Sequence, residues 1–160
     1  MIGSDFGAKA DYTPAAFDLL AASLGCAQKV SQGVRDSGSC YMTEYLPRDQ
    51  SRREFNRRFR VTLYALPAPG EEAVRHVEAI LNHVAAGARQ PEAAVREHLL
   101  VPAQLGGMAF LDYSAWGGHF VVAVVPVGEA QVAVLELATH HGAIPSLSDV
   151  HTLRAVALPR

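Results

Sequence analysis

Three strand-like segments in the last third of the chain constrain the fold more than any other feature. Residues 108–116, 119–127 and 131–139 are rich in apolar and β-branched side chains. Gly117-Gly118 and Gly128-Glu129 stand between them and are typical of short hairpin reversals. Parallel strands need a crossover of about a dozen residues or more, so segments joined this tightly must pair antiparallel. We therefore expect a contiguous three-stranded meander.

Three other segments show helical periodicity. A first helix is expected to begin at Thr13, a favoured N-cap residue, and to end near Gly33. Pro91 is expected to begin a shorter helix, since Val95 and Leu99 stand about one helical turn apart. The clearest helix lies between these two and places its apolar side chains on one face: Val74, Val77, Ile80, Leu81 and Val84.

The remaining segments complete the predicted fold. Residues 40–46 and 59–66 have the composition and alternation of strands, and residues 152–158 fit a strand or a helix equally. Strands do not alternate one-for-one with helices, which disfavours a doubly wound parallel sheet. We expect an α+β fold, with helices packed on a single antiparallel sheet of five to six strands that ends in the C-terminal three-stranded meander. Residues 1–12 are predicted to be a flexible segment, and residues 13–160 a single domain.

Composition and charge limit the class of protein. With 49% hydrophobic and 19% charged residues, the chain differs from disordered sequences and can bury a core. A net charge of −2 gives no general attraction to nucleic acid or to anionic membranes. The longest apolar stretch, residues 120–127, is far shorter than the roughly 20 residues of a membrane helix. We expect a soluble protein, located in the cytoplasm or exported after loss of a signal peptide; the sequence leaves both open.

One part of the chain resembles a known family. Glu44-Tyr45-Leu46-Pro47, a charged connection containing Phe55, and the strand-like residues 59–63 follow one another. This order resembles small exported bacterial proteins with PsbP-like folds, in which a strand ending in proline precedes a polar loop, an aromatic residue and a second strand. Phe55 stands where that family often has tryptophan. The resemblance implies an α+β fold and brings no functional residue with it.

No complete motif for catalysis or for metal binding is present. The seven histidines form no HExxH or comparable pair, and His76 and His83 lie about 10 Å apart along a helix. No cofactor or metal ion is therefore expected. Cys26 and Cys40 have no CxxC spacing, which leaves two thiols or one disulfide in an oxidising compartment as alternatives.

The strongest charge asymmetry lies in residues 48–60, which hold six arginines and two acidic residues. Guanidinium groups bind carboxylates and phosphates through paired hydrogen bonds. We therefore predict a site for an acidic protein partner or a small anion at four of these arginines: Arg52, Arg53, Arg57 and Arg58. In the alternative interpretation these arginines pair with acidic residues of the following helix: Glu71, Glu72 and Glu78.

These observations favour a non-catalytic binding or accessory domain that recognises a protein or a small anionic ligand. An alternative hypothesis is an enzyme whose site is assembled from distant residues on the C-terminal meander, with Asp112, His119 and His140 as candidates. A nucleic-acid-binding protein is the least favoured class because the chain carries a net negative charge.

Overall fold

Seven strands form one continuous sheet in the computed structural model, which describes residues 14–35, 38–67 and 69–158. The strands are β1 (Gln28–Arg35), β2 (Cys40–Leu46), β3 (Arg57–Ala65), β4 (Ala94–Val101), β5 (Met108–Ala115), β6 (Gly118–Val127) and β7 (Gln131–Thr139). Their order across the sheet is β1-β2-β3-β7-β6-β5-β4, and every neighbouring pair is antiparallel. The predicted flexible segment, residues 1–12, lies outside the described residues.

Three helices cover the two faces of this sheet unequally. They are α1 (Pro14–Ser23), α2 (Glu71–Ala85) and α3 (Leu147–Ala157). Helices α1 and α3 pack on one side, here called the two-helix face, while α2 packs on the other, here called the α2 face. In the described part of the chain, no helix is both long and apolar enough to span a bilayer.

The meander forms the middle and one end of the sheet. Strands β7, β6 and β5 are successive neighbours, as their short connections predict. In β6, Val121, Ala123 and Val125 belong to the core of the two-helix face, while Val122 and Val124 belong to the core of the α2 face. Burial on both faces explains why this strand is almost continuously apolar.

The sheet has seven strands, so the prediction of five to six was wrong. The two additional strands, β1 and β4, lie at the two edges, in segments predicted to be helical. In β4, Val95 and Leu99 are four residues apart, a spacing that fits both a strand of period two and a helix of period 3.6. Residues 94–101 form a strand because they pair with the neighbouring strand β5.

Helix α1 ends ten residues earlier than the sequence pattern predicts. Gly25 has a φ of +77°, and the Cys26 amide donates a hydrogen bond of 2.8 Å to the Ala21 carbonyl. A glycine in the left-handed region with a backward amide bond is a common helix terminator. The chain then leaves the helix and enters β1 at Gln28.

The ambiguous C-terminal segment is helical. Ser146 caps α3, because its side chain accepts a hydrogen bond from the Asp149 amide while the Asp149 carboxylate accepts one from the Ser146 amide. This reciprocal pair is a capping box, and it satisfies two amides that the first turn would leave without partners.

The two cysteines are buried and are not joined to each other by a disulfide. Burial raises the pKa of the Cys26 thiol to about 11, although the nearby Arg57 charge opposes this effect. At neutral pH this thiol is therefore protonated and is a weak nucleophile.

Replacing Leu81 with alanine tests the packing of α2. Leu81 is 3% exposed, whereas Val74 is only half-buried. We expect Leu81→Ala to lower the free energy of unfolding by about 2–5 kcal/mol, because it leaves a cavity in the core of the α2 face. Val74→Ala, the matched control, should cost less than about 1.5 kcal/mol in the same urea titration. Equal losses in the two variants would contradict this packing.

Candidate functional site

Helix α2 covers only part of its face, and a groove lies beside it. The buried residues of this core come from α2, the turn that follows it and the meander strands β5, β6 and β7, and none comes from β1, β2 or β3. The groove, here called the sheet groove, has a volume of about 440 Å³ and runs between the C-terminal end of α2 and the uncovered strands.

The floor of the sheet groove is a row of side chains across three strands. Met42 of β2 is the register partner of Thr62 of β3, which in turn is the partner of Val134 of β7. Tyr64 lies two residues further along β3 on the same side. Apolar and hydroxyl-bearing side chains therefore alternate along the floor.

One wall of the groove is the end of α2, with His83 and Val84, followed by a 3-10 turn at Gly87–Arg89. Gly87 approaches Tyr113 so closely that a Cβ atom there would overlap the phenol hydroxyl. Burial raises the pKa of Tyr113 to about 12, and the negative charge of Glu136 adds to this effect. The hydroxyl thus keeps its proton at neutral pH and can donate a hydrogen bond.

Trp116 stands at the mouth of the groove, in the turn between β5 and β6. The turn residues are Trp116 and Gly117, with φ of +52° and +74°, one position earlier than the predicted Gly117-Gly118. Such hairpin turns favour Asn, Asp or Gly, and other residues pay about 1–2 kcal/mol in this region. The indole is 62% exposed, and its edge contacts Phe120 at a centroid distance of 6.0 Å.

A second apolar cavity extends the sheet groove along α2. Its volume is about 180 Å³, and it shares Tyr64 and His83 with the groove. Ala79 and Ile80 of α2 supply its apolar wall. The two spaces together form an elongated channel between helix and sheet rather than an enclosed chamber.

A row of polar side chains runs across four strands at one side of the groove. Glu44 accepts hydrogen bonds of 2.9 and 3.1 Å from Arg60, and one of 3.1 Å from the Ser31 hydroxyl. Arg58 donates one of 3.2 Å to Glu136 and lies 4.0 Å from Glu44. These contacts neutralise charges that β2, β3 and β7 bring together.

The four arginines of the sequence prediction do not lie together. Arg57 points to the two-helix face, where it donates to Asp149 at 3.0 Å and to the Leu24 carbonyl at 3.1 Å. Arg58 lies on the α2 face and pairs with Glu136. Arg52 and Arg53 are exposed in the loop before β3 and form no ion pair with any described residue. The carboxylates that meet Arg57 and Arg58 thus come from α3 and the strands, not from Glu71, Glu72 or Glu78.

The enzyme hypothesis named Asp112, His119 and His140, of which Asp112 and His119 lie on the neighbouring strands β5 and β6. Asp112 forms an ion pair of 2.8 Å with Arg96. The Nδ1 atom of His119 is buried without a hydrogen-bond partner among the described residues. His140 lies beyond the end of β7 and packs edge-on against Phe55, with ring centroids 5.5 Å apart. Of the cavities described here, none is lined by Asp112, His119 or His140.

No group of three or more His, Cys, Asp or Glu side chains within residues 14–35, 38–67 and 69–158 is arranged to hold a metal ion. The sheet groove could not be predicted from the sequence because its residues come from six separate segments. The one local signal was Trp116 next to a glycine pair, which marks an aromatic residue at a hairpin turn.

Glu44 should make the stability of the protein depend on pH. Burial alone would raise the pKa of its carboxyl group, but the hydrogen bond and charge of Arg60, with contributions from Ser31 and Arg58, hold it below the ordinary value of 4.5. Because the pKa is lower in the folded state, the carboxylate stabilises the fold fully above about pH 4.5, and this contribution is lost as the pH falls through the folded-state pKa.

We therefore expect Glu44→Gln to lower the free energy of unfolding at neutral pH by about 1–3 kcal/mol. The difference from the wild type should shrink as denaturant titrations are repeated at lower pH. Glu92→Gln, at an exposed residue without a described ion pair, should change stability by less than about 0.5 kcal/mol. If the loss of unfolding free energy in Glu44→Gln stays constant down to about pH 3, the charge of Glu44 does not contribute to stability.

Comparison with models of known protein families gives no match, and comparison with curated protein sequences gives none either. These comparisons do not test the resemblance to exported PsbP-like domains, which stays a prediction.

Proposed function

We propose that this chain is a non-catalytic binding domain, and that its sheet groove holds an extended, uncharged apolar segment of a partner protein. The shape of the groove supports a peptide as the ligand. The groove and the apolar cavity that continues it measure about 440 and 180 Å³ and follow one direction along α2. An elongated channel with apolar walls and spaced polar groups suits an extended chain.

The charges of the groove support an uncharged ligand. Arg60 and Glu136 line it, but Arg60 is already bound to Glu44, and Glu136 to Arg58. Inserting a charged side chain here would require breaking one of these pairs, which leaves an uncompensated charge. The hydroxyl of Tyr113 and the side chains of Thr62 and Gln90 instead provide neutral hydrogen-bonding groups for a peptide backbone.

The observation that carries the proposal is the placement of Trp116. A tryptophan that is 62% exposed occupies a left-handed turn position where smaller polar residues are favoured. The backbone at Trp116 is therefore strained, which lowers the stability of the fold. Strained backbone conformations of this kind occur preferentially at functional sites. Exposed tryptophans are also among the residues that contribute most to protein–protein binding.

The experiment starts from a phage-displayed library of random peptides selected on the purified protein. Selected peptides should be rich in apolar and aromatic residues and poor in charged ones. Because Trp116 is the only tryptophan of the chain, tryptophan fluorescence reports on this position alone. Binding of a selected peptide should shift the emission of Trp116 to shorter wavelength. Peptides selected for acidic residues, or binding without a fluorescence change, would contradict the proposal.

A matched pair of variants locates the binding site. Trp116→Asn keeps a residue suited to the turn, so stability should stay within about 1 kcal/mol of wild type while peptide affinity falls at least about tenfold. Leu147→Asn removes a side chain that is 73% exposed on α3, on the opposite face, and should leave affinity unchanged. If Trp116→Asn and the wild type bind the peptide equally in fluorescence polarisation, the sheet groove is not the peptide-binding site.

A further inference from the structure

We propose that a third and smaller cavity on the α2 face binds a carboxylate group. The cavity has a volume of about 130 Å³ and lies where the loop of residues 47–56 returns against the ends of β1 and β2. Its walls are Val30, Glu44, Leu46, Arg52, Phe55 and Arg58. It is separate from the sheet groove, so this inference does not depend on the proposed function.

Arg58 presents an unused donor in this region. Its Nη2 atom binds Glu136 at 3.2 Å, and its Nη1 atom lies 4.0 Å from Glu44. The Nε atom is buried and has no hydrogen-bond partner among the described residues. A buried charged donor without an acceptor is destabilising, so a ligand oxygen that accepts from it would restore the missing hydrogen bond.

Glu44 does not supply that oxygen. Its Oε1 atom accepts from Ser31, and its Oε2 atom accepts twice from Arg60. Arg52 lines the same cavity, is exposed, and forms no ion pair with the described residues. The cavity is therefore lined by Arg58, whose Nε atom has no acceptor among the described residues, and by Arg52, which has no carboxylate partner there.

The charge around the cavity selects a singly charged ligand. Of the residues that line the cavity, Arg52 and Arg58 are positively charged and Glu44 is negatively charged, which leaves a surplus of one positive charge. A carboxylate neutralises this surplus, whereas a doubly charged phosphate would add a negative charge close to Glu44. Phe55 and Leu46 provide apolar walls for the carbon atom that carries the carboxylate.

Of the four arginines predicted from the sequence, the structure assigns two, Arg52 and Arg58, to this site. Arg53 is also exposed in the same loop but does not line the cavity. Arg57 is held by Asp149 on the opposite face of the sheet. Arg53 is therefore a natural control for Arg52.

Sodium acetate is the probe, and the readout is the NMR resonance of the Arg58 Nε–H group, recorded in low-chloride buffer. Acetate should shift this resonance with saturation in the wild type and in Arg53→Gln. In Arg52→Gln the acetate concentration for half-saturation should rise at least tenfold. Because Arg52 is exposed, this variant should fold normally, as its remaining amide spectrum will show.

Two comparisons sharpen the test. Trp116→Asn should respond to acetate like the wild type, so loss of the groove and loss of the carboxylate site can be told apart. A short peptide with a free C-terminus should compete with acetate, whereas its amidated form should not. Tighter binding of the peptide assigns the carboxylate to a protein terminus, and equal binding assigns it to a small acid. A linear, unsaturated shift, an unchanged response in Arg52→Gln, or saturation by phosphate at lower concentration than acetate would overturn the proposal.

Discussion

The pairing of β3 with β7 is the interaction on which the rest of the structure depends, because it joins the N-terminal hairpins to the C-terminal meander. The two strands run antiparallel from the pair Arg57 and Thr139 to the pair Ala65 and Gln131. Without this long-range contact, β1, β2 and β3 would form a small sheet of their own. The pairing also places Arg58 within reach of Glu136, so the ion pair in the groove bridges the two halves.

The unequal distribution of helices over the sheet creates the candidate site. On the two-helix face, α1 and α3 bury a core that extends from β2 to β5. On the other face, the buried core lies between α2 and the meander, and β2 and β3 carry the half-buried charged side chains of Glu44, Arg58 and Arg60. Where α2 ends and the sheet continues without a covering helix, the helix and the sheet surface form the two sides of the sheet groove. Its residues lie far apart in sequence, as is usual for ligand sites on a rigid scaffold.

One network of ion pairs separates the two proposed sites. Glu44 lines the small cavity and holds Arg60, which lines the sheet groove, while Arg58 holds Glu136 between them. Paired charges within partly buried surroundings keep each other in position more firmly than exposed ones. The network therefore gives both cavities a fixed wall. The charges that line the sheet groove are paired, whereas the small cavity keeps one guanidinium group in excess, that of Arg52.

The sequence by itself determined the meander, the amphipathic α2 and the α+β class, because these follow from local periodicity and from short turns. It did not determine β1 and β4, since apolar residues four apart suit a helix and a strand alike, and only a neighbouring strand selects between them. The same limit applies to the arginines. Their number is visible in the sequence, but strand alternation sends Arg57 and Arg58 to opposite faces. Which charges are neutralised, and which remain available, was decided by tertiary structure, because their carboxylate partners lie on strands and helices distant in sequence.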